Sequence, residues 1–271
     1  MEEKIIIDVS KHNARVDWQK VKQKTNIAGA IIRCGYGSDY TRQDDEQFKA
    51  NVEGCIRNNI PFGVYIYSYA KTIEEAKSEA QHTLRLVNPY KGKLSYPIYY
   101  DLEQAGTESG AIERANVFGD IIEKAGFWCG VYASEYWWNH YLKGLERFTK
   151  WVAKYSANKP NVTNTDIWQY SDKGTVNGLN GPVDMNYVYR DLPSEIKGNK
   201  VTTKKVMPTY SVGDKVRVSS YYKTSTDPSE RATIKNAVGT ITRIKVGARN
   251  PYLLNNGDIG WCNYGDIREK L

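Results

Sequence analysis

The chain is poor in the residues that support redox or metal chemistry. Four cysteines, Cys34, Cys55, Cys129 and Cys262, are scattered over 271 residues with no C-x-x-C pair. That spacing excludes a redox dithiol and predicts reduced, structural thiols rather than a disulfide framework. Only three histidines are present, His12, His82 and His140, too few for a His-rich zinc site, so neither a metal nor another cofactor is expected. His82 and His140 fall within helical patterns. His12, four residues after Asp8, is the one histidine placed to line a site, although an exposed loop position is the favoured reading.

Long apolar runs are missing too. No segment approaches the roughly 20 residues of a membrane span. The opening Met1-Glu2-Glu3-Lys4 passes directly into strand-like Ile5 to Ile7, without the apolar core and small-residue cleavage site of a secretory leader. Production and initial confinement in the cytoplasm are therefore expected.

An apolar fraction of 40% with 25% charged residues is that of an ordinary globular protein, and the length allows one large domain and one small one. The net charge of +7 is unevenly placed. Residues 1–199 carry 25 Lys plus Arg against 25 Asp plus Glu, whereas residues 200–271 carry 13 against 6. A basic C-terminal quarter suits an acidic polymer partner, either nucleic acid or the anionic polymers of a cell wall.

Acid chemistry is the clearest positive signal. In Pro97-Ile-Tyr-Tyr-Asp101-Leu-Glu103 an apolar strand ends in two carboxylates two positions apart, which the strand period places on one face. Crowded carboxyls repel each other's charge, so one can stay protonated while the other ionises, the division glycoside hydrolysis needs. An isolated D-x-E is weak evidence, and its surroundings decide.

Strands are predicted at Lys4–Val9, Ala28–Arg33, Phe62–Tyr67, Pro97–Asp101, Trp128–Tyr132, Trp151–Lys154, Asp166–Gln169 and Val183–Tyr189. Helices are predicted from Thr72, capped by Glu75, and over about Asp44–Asn59 and Ala111–Ala125. This alternation implies a parallel α/β sheet, and eight strands suggest a (β/α)-barrel, irregular after residue 132 where helical patterns shrink. Such barrels place their chemistry at the C-terminal strand ends, where Asp8, Asp101 and Glu103 fall, with Asp184 in the last strand. Tyr65, Tyr67, Tyr132 and Trp168 gather at comparable positions, and 21 tyrosines with 7 tryptophans supply flat rings for sugar faces.

Residues 192–209 turn polar and lysine-rich and read as a linker. Beyond it, short strands at Lys215–Ser219, Val238–Val246 and Tyr252–Leu254 fit a small all-β barrel of the SH3-like kind over residues 210–271. Met207 precedes that module, so an internal translation start there could yield a free fragment that pairs with the full chain.

The ordered set Asp8-Val9-Ser10, Val16-Asp17-Trp18, Ile31-Ile32-Arg33 with Gly35-Tyr36-Gly37, Gly63-Val64-Tyr65, Asp101-Leu102-Glu103, Gly130-Val131-Tyr132, Trp168-Gln169-Tyr170 and Val183-Asp184-Met185-Asn186 resembles glycoside hydrolase family 25, the lysozymes of fungi, bacteria and phages. The resemblance spans about residues 4–191, within a muramidase domain over 1–191. Asn250-Pro251-Tyr252-Leu253 and Gly260-Trp261 resemble the SH3-like wall-binding domains of clostridial phage and bacterial lysins.

The resemblance implies a muramidase that cuts between N-acetylmuramic acid and N-acetylglucosamine in peptidoglycan, and the lack of a secretory leader favours the phage endolysins among its members. The same resemblance makes Glu103 the general acid, with Asp101, Asp8 and Asp184 the other carboxylates. Asp101 acts either as nucleophile or by steadying a substrate acetamido. Tyr65 resembles the family's substrate-contacting tyrosine. Many relatives carry an aromatic residue and a glutamine where this chain has Lys11, His12 and Asn13, which changes the contacts of that loop.

Three rivals are weighed against this reading. A chitinase-type glycosidase would need a D-x-x-D-x-D-x-E run, which is absent before Asp101. A catalytically dead wall-binding protein need not keep the acidic set. Nucleic-acid binding through Tyr221, Tyr222, Tyr252 and Trp261 is disfavoured because the basic residues are dispersed.

Overall fold

The computed structural model describes residues 4–198, 210–226, 232–245, 248, 250–263 and 266–271, with 232–236 described in backbone only. The chain divides into two compact units, residues 1–201 and 202–271.

Eight strands of the first unit close into a barrel in chain order: β1 (Lys4–Val9), β2 (Gly29–Tyr36), β3 (Phe62–Tyr67), β4 (Ile98–Asp101), β5 (Cys129–Ser134), β6 (Thr149–Ala153), β7 (Ile167–Gly174) and β8 (Val183–Val188). Strands β1 to β7 run parallel. The last strand departs from the all-parallel expectation, since β8 pairs antiparallel with both β7 and β1. The reason lies in the connection. No helix separates β7 from β8, so the chain turns straight back, and a parallel return would need a long crossover.

Helices α1 (Trp18–Lys24), α2 (Phe48–Arg57), α3 (Ile73–Val87) and α4 (Ala111–Lys124) fill the first four crossovers. Between β5 and β8 the α-helix is the six-residue α5 (Glu135–His140), as the weakening helical pattern implied. The start of α3 is closed reciprocally: the Thr72 hydroxyl accepts from the Glu75 N–H at 3.2 Å, and Glu75 accepts from the Thr72 N–H at 2.9 Å. Such a cap contributes about 0.5–2 kcal/mol.

Period-two alternation divides each strand between two cores. Ile7, Val9, Ile32, Val64, Ile98, Tyr100 and Val131 face outward into the helix layer with Phe118 and Ile122 of α4. Ile6, Ile31, Tyr99, Trp151, Ile167 and Val188 face inward and fill the barrel's lower half. Trp151 takes Tyr65, Tyr99 and Tyr132 edge-on, with ring centroids 5.9, 5.2 and 4.5 Å away. Gly130 lets Tyr99 into this layer, because a Cβ there would stand 2.4 Å from the tyrosine ring. All four cysteines are buried and unpaired, and burial pushes the Cys34 thiol up to about 12.

Residues 192–198, read from sequence as the start of a linker, instead form helix α6 (Leu192–Gly198). Leu192 is fully buried and packs into the inner core with Tyr96. Arg190 fastens the segment through Glu195 at 2.6 Å and Asp166 at 3.3 Å. The rest of that stretch, including Met207, lies outside the described residues.

The second unit is an antiparallel five-stranded sheet, β9 (Lys215–Tyr221), β10 (Ala232–Ile244), β11 (Tyr252–Leu254), β12 (Gly260–Cys262) and β13 (Ile267–Lys270), in the order β12-β11-β10-β9-β13. The sheet curls until the backbone of Tyr222 meets Trp261 beyond β9, with N···O distances of 2.6 and 2.9 Å. Val216, Val218, Ile241, Tyr252, Leu254 and Cys262 fill its core. Among the described residues no helix is long and apolar enough to cross a membrane.

Candidate active site

Two residues above the apolar layer, the same inward-facing strand positions turn polar. Asp8 follows Ile6, Arg33 follows Ile31, Asp101 follows Tyr99, and Gln169 follows Ile167. Asp184 stands across from Asp8 in the β1–β8 register.

The donor-only indole N–H of Trp151 reaches the Asn186 Oδ1 at 2.7 Å, which turns the amide nitrogen toward Asp8. Asp8 Oδ2 accepts from Asn186 Nδ2 at 2.9 Å and from Gln169 Nε2 at 3.0 Å. Gln169 is oriented in the same way, because its Oε1 accepts the hydroxyls of Tyr132 at 2.8 Å and Tyr155 at 3.0 Å. Burial, and then the charge of Asp184, raise the Asp8 carboxyl well above the usual range. The interaction between the two carboxyls raises Asp8 further and lowers Asp184.

Asp101 and Glu103 differ in setting although they share a strand end. Asp101 is 3% exposed, its Oδ1 has no hydrogen-bond partner, and burial raises it well above the usual range, with Glu103 and Asp8 adding to the effect and Arg33 opposing it. Glu103 is exposed at the rim. Its carboxyl is raised by the protein walls around it and then by the charge of Asp184, with the neighbouring Tyr132 side chain partly offsetting them. Burial and mutual repulsion thus push all four carboxyls of the groove in the same direction, toward holding their protons more tightly. Position distinguishes the two: Glu103 opens to solvent, and Asp101 lies beneath.

Of the four aromatic candidates, three line this mouth. Tyr65 stands against Trp151, and burial followed by the charge of Asp8 raises its hydroxyl well above the usual range. Tyr67 pairs with Asp101 in register and donates to Gln104 Oε1 at 3.1 Å. Tyr132 binds Gln169. Trp168 does not join them. The strand period turns it to the face opposite Gln169, where its N–H donates to the Lys154 carbonyl at 2.8 Å and its ring meets Tyr170 and Tyr187. It packs the barrel's outer wall.

Gln169, Asn186, Trp151 and Tyr155 belong to the site but were not singled out from sequence. Gln169 and Asn186 stand within the quoted motifs, one and two positions from Trp168 and Asp184, and strict alternation points to both. Arg33 is a further case: its Nε donates to the buried Asp45 at 2.8 Å, linking β2 to the segment before α2. His12 stays exposed in a short 3-10 turn after β1.

Comparisons with known proteins agree on this half of the chain. The family model for Glycosyl hydrolases family 25 matches residues 7–179. An uncharacterized protein of Escherichia coli, YegX, is 30% identical over 202 residues, covering 71% of each chain. The autolytic lysozyme of Clostridium acetobutylicum is 25% identical over 66% of this chain and 54% of its own. Among solved structures, the modular autolysin LytC of Streptococcus pneumoniae superposes with a TM-score of 0.62 at 31% identity, over 69% of this chain and 47% of that one. This chain thus matches about half the length of LytC. The CTP1L endolysin, whose activity is described as regulated by a secondary translation product, gives a TM-score of 0.63 at 26% identity, over 72% and 70%.

Proposed function

The chain belongs to glycosyl hydrolase family 25, a glycoside hydrolase family that includes lysozymes, and we propose that it is a peptidoglycan muramidase of the endolysin type. The bond cut is the β-1,4 link from N-acetylmuramic acid to N-acetylglucosamine. One observation carries the reading: a solvent-facing carboxyl, Glu103, stands above a floor of buried carboxyls that raises its affinity for a proton.

Glu103 protonates the departing glycosidic oxygen, and its conjugate base then activates the incoming water. Asp101, at 3% exposure, is poorly placed for direct attack on an anomeric carbon. Its unpartnered Oδ1 suits an acetamido N–H, so the sugar's own carbonyl oxygen closes on the anomeric carbon while Asp101 steadies it. Substrate-assisted hydrolysis of this kind needs no protein nucleophile. Asp8, bonded to Gln169, Asn186 and Asp184, holds the floor in place, and Asp184 keeps negative charge near Glu103. Tyr65, Tyr67 and Tyr132 bound the sugar site.

The second unit serves wall targeting in this reading. Its excess of basic residues suits anionic wall polymers, and its curled antiparallel sheet suits an SH3-like barrel. The likeness to an endolysin favours a phage enzyme that waits in the host cytoplasm and acts on the wall after release. A start at Met207 would add a free second unit able to pair with the full chain.

Digestion of purified walls followed by borohydride reduction and mass spectrometry tests the activity. Reduced muramic acid ends are expected. Reduced glucosamine ends, or free peptides alone, would defeat the reading.

A further inference from the structure

The exposed aromatics around the barrel mouth are connected rather than scattered. From Glu103 and its neighbour Gln104, contact passes to Tyr67, whose hydroxyl bonds Gln104 at 3.1 Å. The Tyr67 ring lies 5.0 Å from Tyr69, and Tyr69 lies 6.1 Å from Tyr36. The Tyr36 hydroxyl donates to the Arg42 carbonyl at 3.4 Å, and the Arg42 guanidinium covers Tyr40 at 4.8 Å. Tyr69 is 47% exposed and Tyr40 54%. Single exposed rings are ordinary, but a chain of four leading outward from the acid is not explained by packing.

The loops that carry these rings are clamped from below by one face of α3. Glu79 accepts the N–H groups of Tyr69 and Ala70 at 2.8 and 3.1 Å and the Ser68 hydroxyl at 2.8 Å. The Ser78 hydroxyl accepts the Asp39 N–H at 3.0 Å. The buried His82 ring meets the Gly37 carbonyl at 2.9 Å and the Asp44 carboxylate at 2.8 Å. Arg85 forks onto Asp44 at 2.7 and 3.0 Å and bonds Asp39 at 2.7 Å. Burying charged groups is costly, and here it immobilises the two segments, 37–44 and 68–70, that present exposed rings. Rings fixed beforehand lose little entropy when a ligand settles on them.

We propose that Tyr67, Tyr69, Tyr36 and Tyr40 form a stacking ridge that holds the glycan strand beyond the bond being cut, making the enzyme selective for long strands. The inference rests on the muramidase reading and deepens it. Sugar rings present CH faces to aromatic rings, and the ridge supplies rings in succession from the acid outward, Tyr67 and Tyr69 tilted by 49° and Tyr69 and Tyr36 edge-on at 82°.

The test measures KM for soluble peptidoglycan glycans of two and of six disaccharide repeats, in wild type, Tyr69→Ala, Tyr40→Ala and Tyr69→Phe. The ratio of long-strand to short-strand KM should rise about tenfold in Tyr69→Ala, less in Tyr40→Ala, and stay near wild type in Tyr69→Phe, which keeps the ring. Tyr40 lies in a surface turn, so its variant carries the test if Tyr69→Ala fails to fold. An unchanged ratio in both alanine variants of an active enzyme would overturn the ridge alone. A wild type that cuts neither substrate would overturn the muramidase reading and the ridge with it.

Discussion

The lower and upper halves of the barrel interior are built from the same strands one inward step apart, yet they do opposite things. Below, Ile6, Ile31, Tyr99, Trp151 and Ile167 make a close-packed apolar layer. Above, Asp8, Arg33, Asp101 and Gln169 gather like charges and hydrogen-bonding groups whose desolvation opposes folding. One layer supplies stability and the other uses it. The indole of Trp151 belongs to both, packing below and orienting Asn186 above.

Substitutions that cross this boundary should separate the two roles. The largest effect is expected from Glu103→Gln, which should lower wall clearing about 10²–10⁴-fold with circular dichroism and wall binding unchanged. Next, Trp151→Ala should cost about 3–5 kcal/mol in denaturant unfolding, because it empties the lower layer. It should lower activity as well, since Asn186 loses the donor that orients it. Asn186→Leu should cost less, about 1–3 kcal/mol, by leaving the Trp151 N–H and Asp8 short of a partner.

The smallest effect has the opposite sign. Asp101 binds its proton more tightly in the folded chain than in the unfolded one, so its contribution favours folding at low pH and is lost as pH rises through its folded value. Asp101→Asn should therefore raise the melting temperature by roughly 2–4 °C at neutral pH while losing activity. The gain should vanish below about pH 4, where the carboxyl is protonated in both states. A neutral-pH melting temperature below wild type would show that Asp101 supports the fold rather than burdening it.

Much of this division can be read in the chain itself. The run from Pro97 to Glu103 shows both the strand and its carboxylates, and Thr72 with Glu75 marks the start of α3. Period two also separates Gln169, which faces Asp8, from Trp168, which does not. What local pattern does not disclose is long-range. Nothing near Asn186 reveals that Trp151 will orient it, and nothing near Val183 shows that β8 will run backward. Leu192 reads as linker because its partners, among them Tyr96, lie about a hundred residues away in sequence.

The central claim is that crowded carboxyls keep Glu103 protonated for its role as acid. The pH dependence of kcat/KM tests it directly, in wild type beside Asp184→Asn. Activity should fall on the alkaline side above the ordinary glutamate range, as Glu103 loses its proton, and removing the Asp184 charge should move that limb to lower pH. A limb that stays in place, or moves to higher pH, would contradict the account.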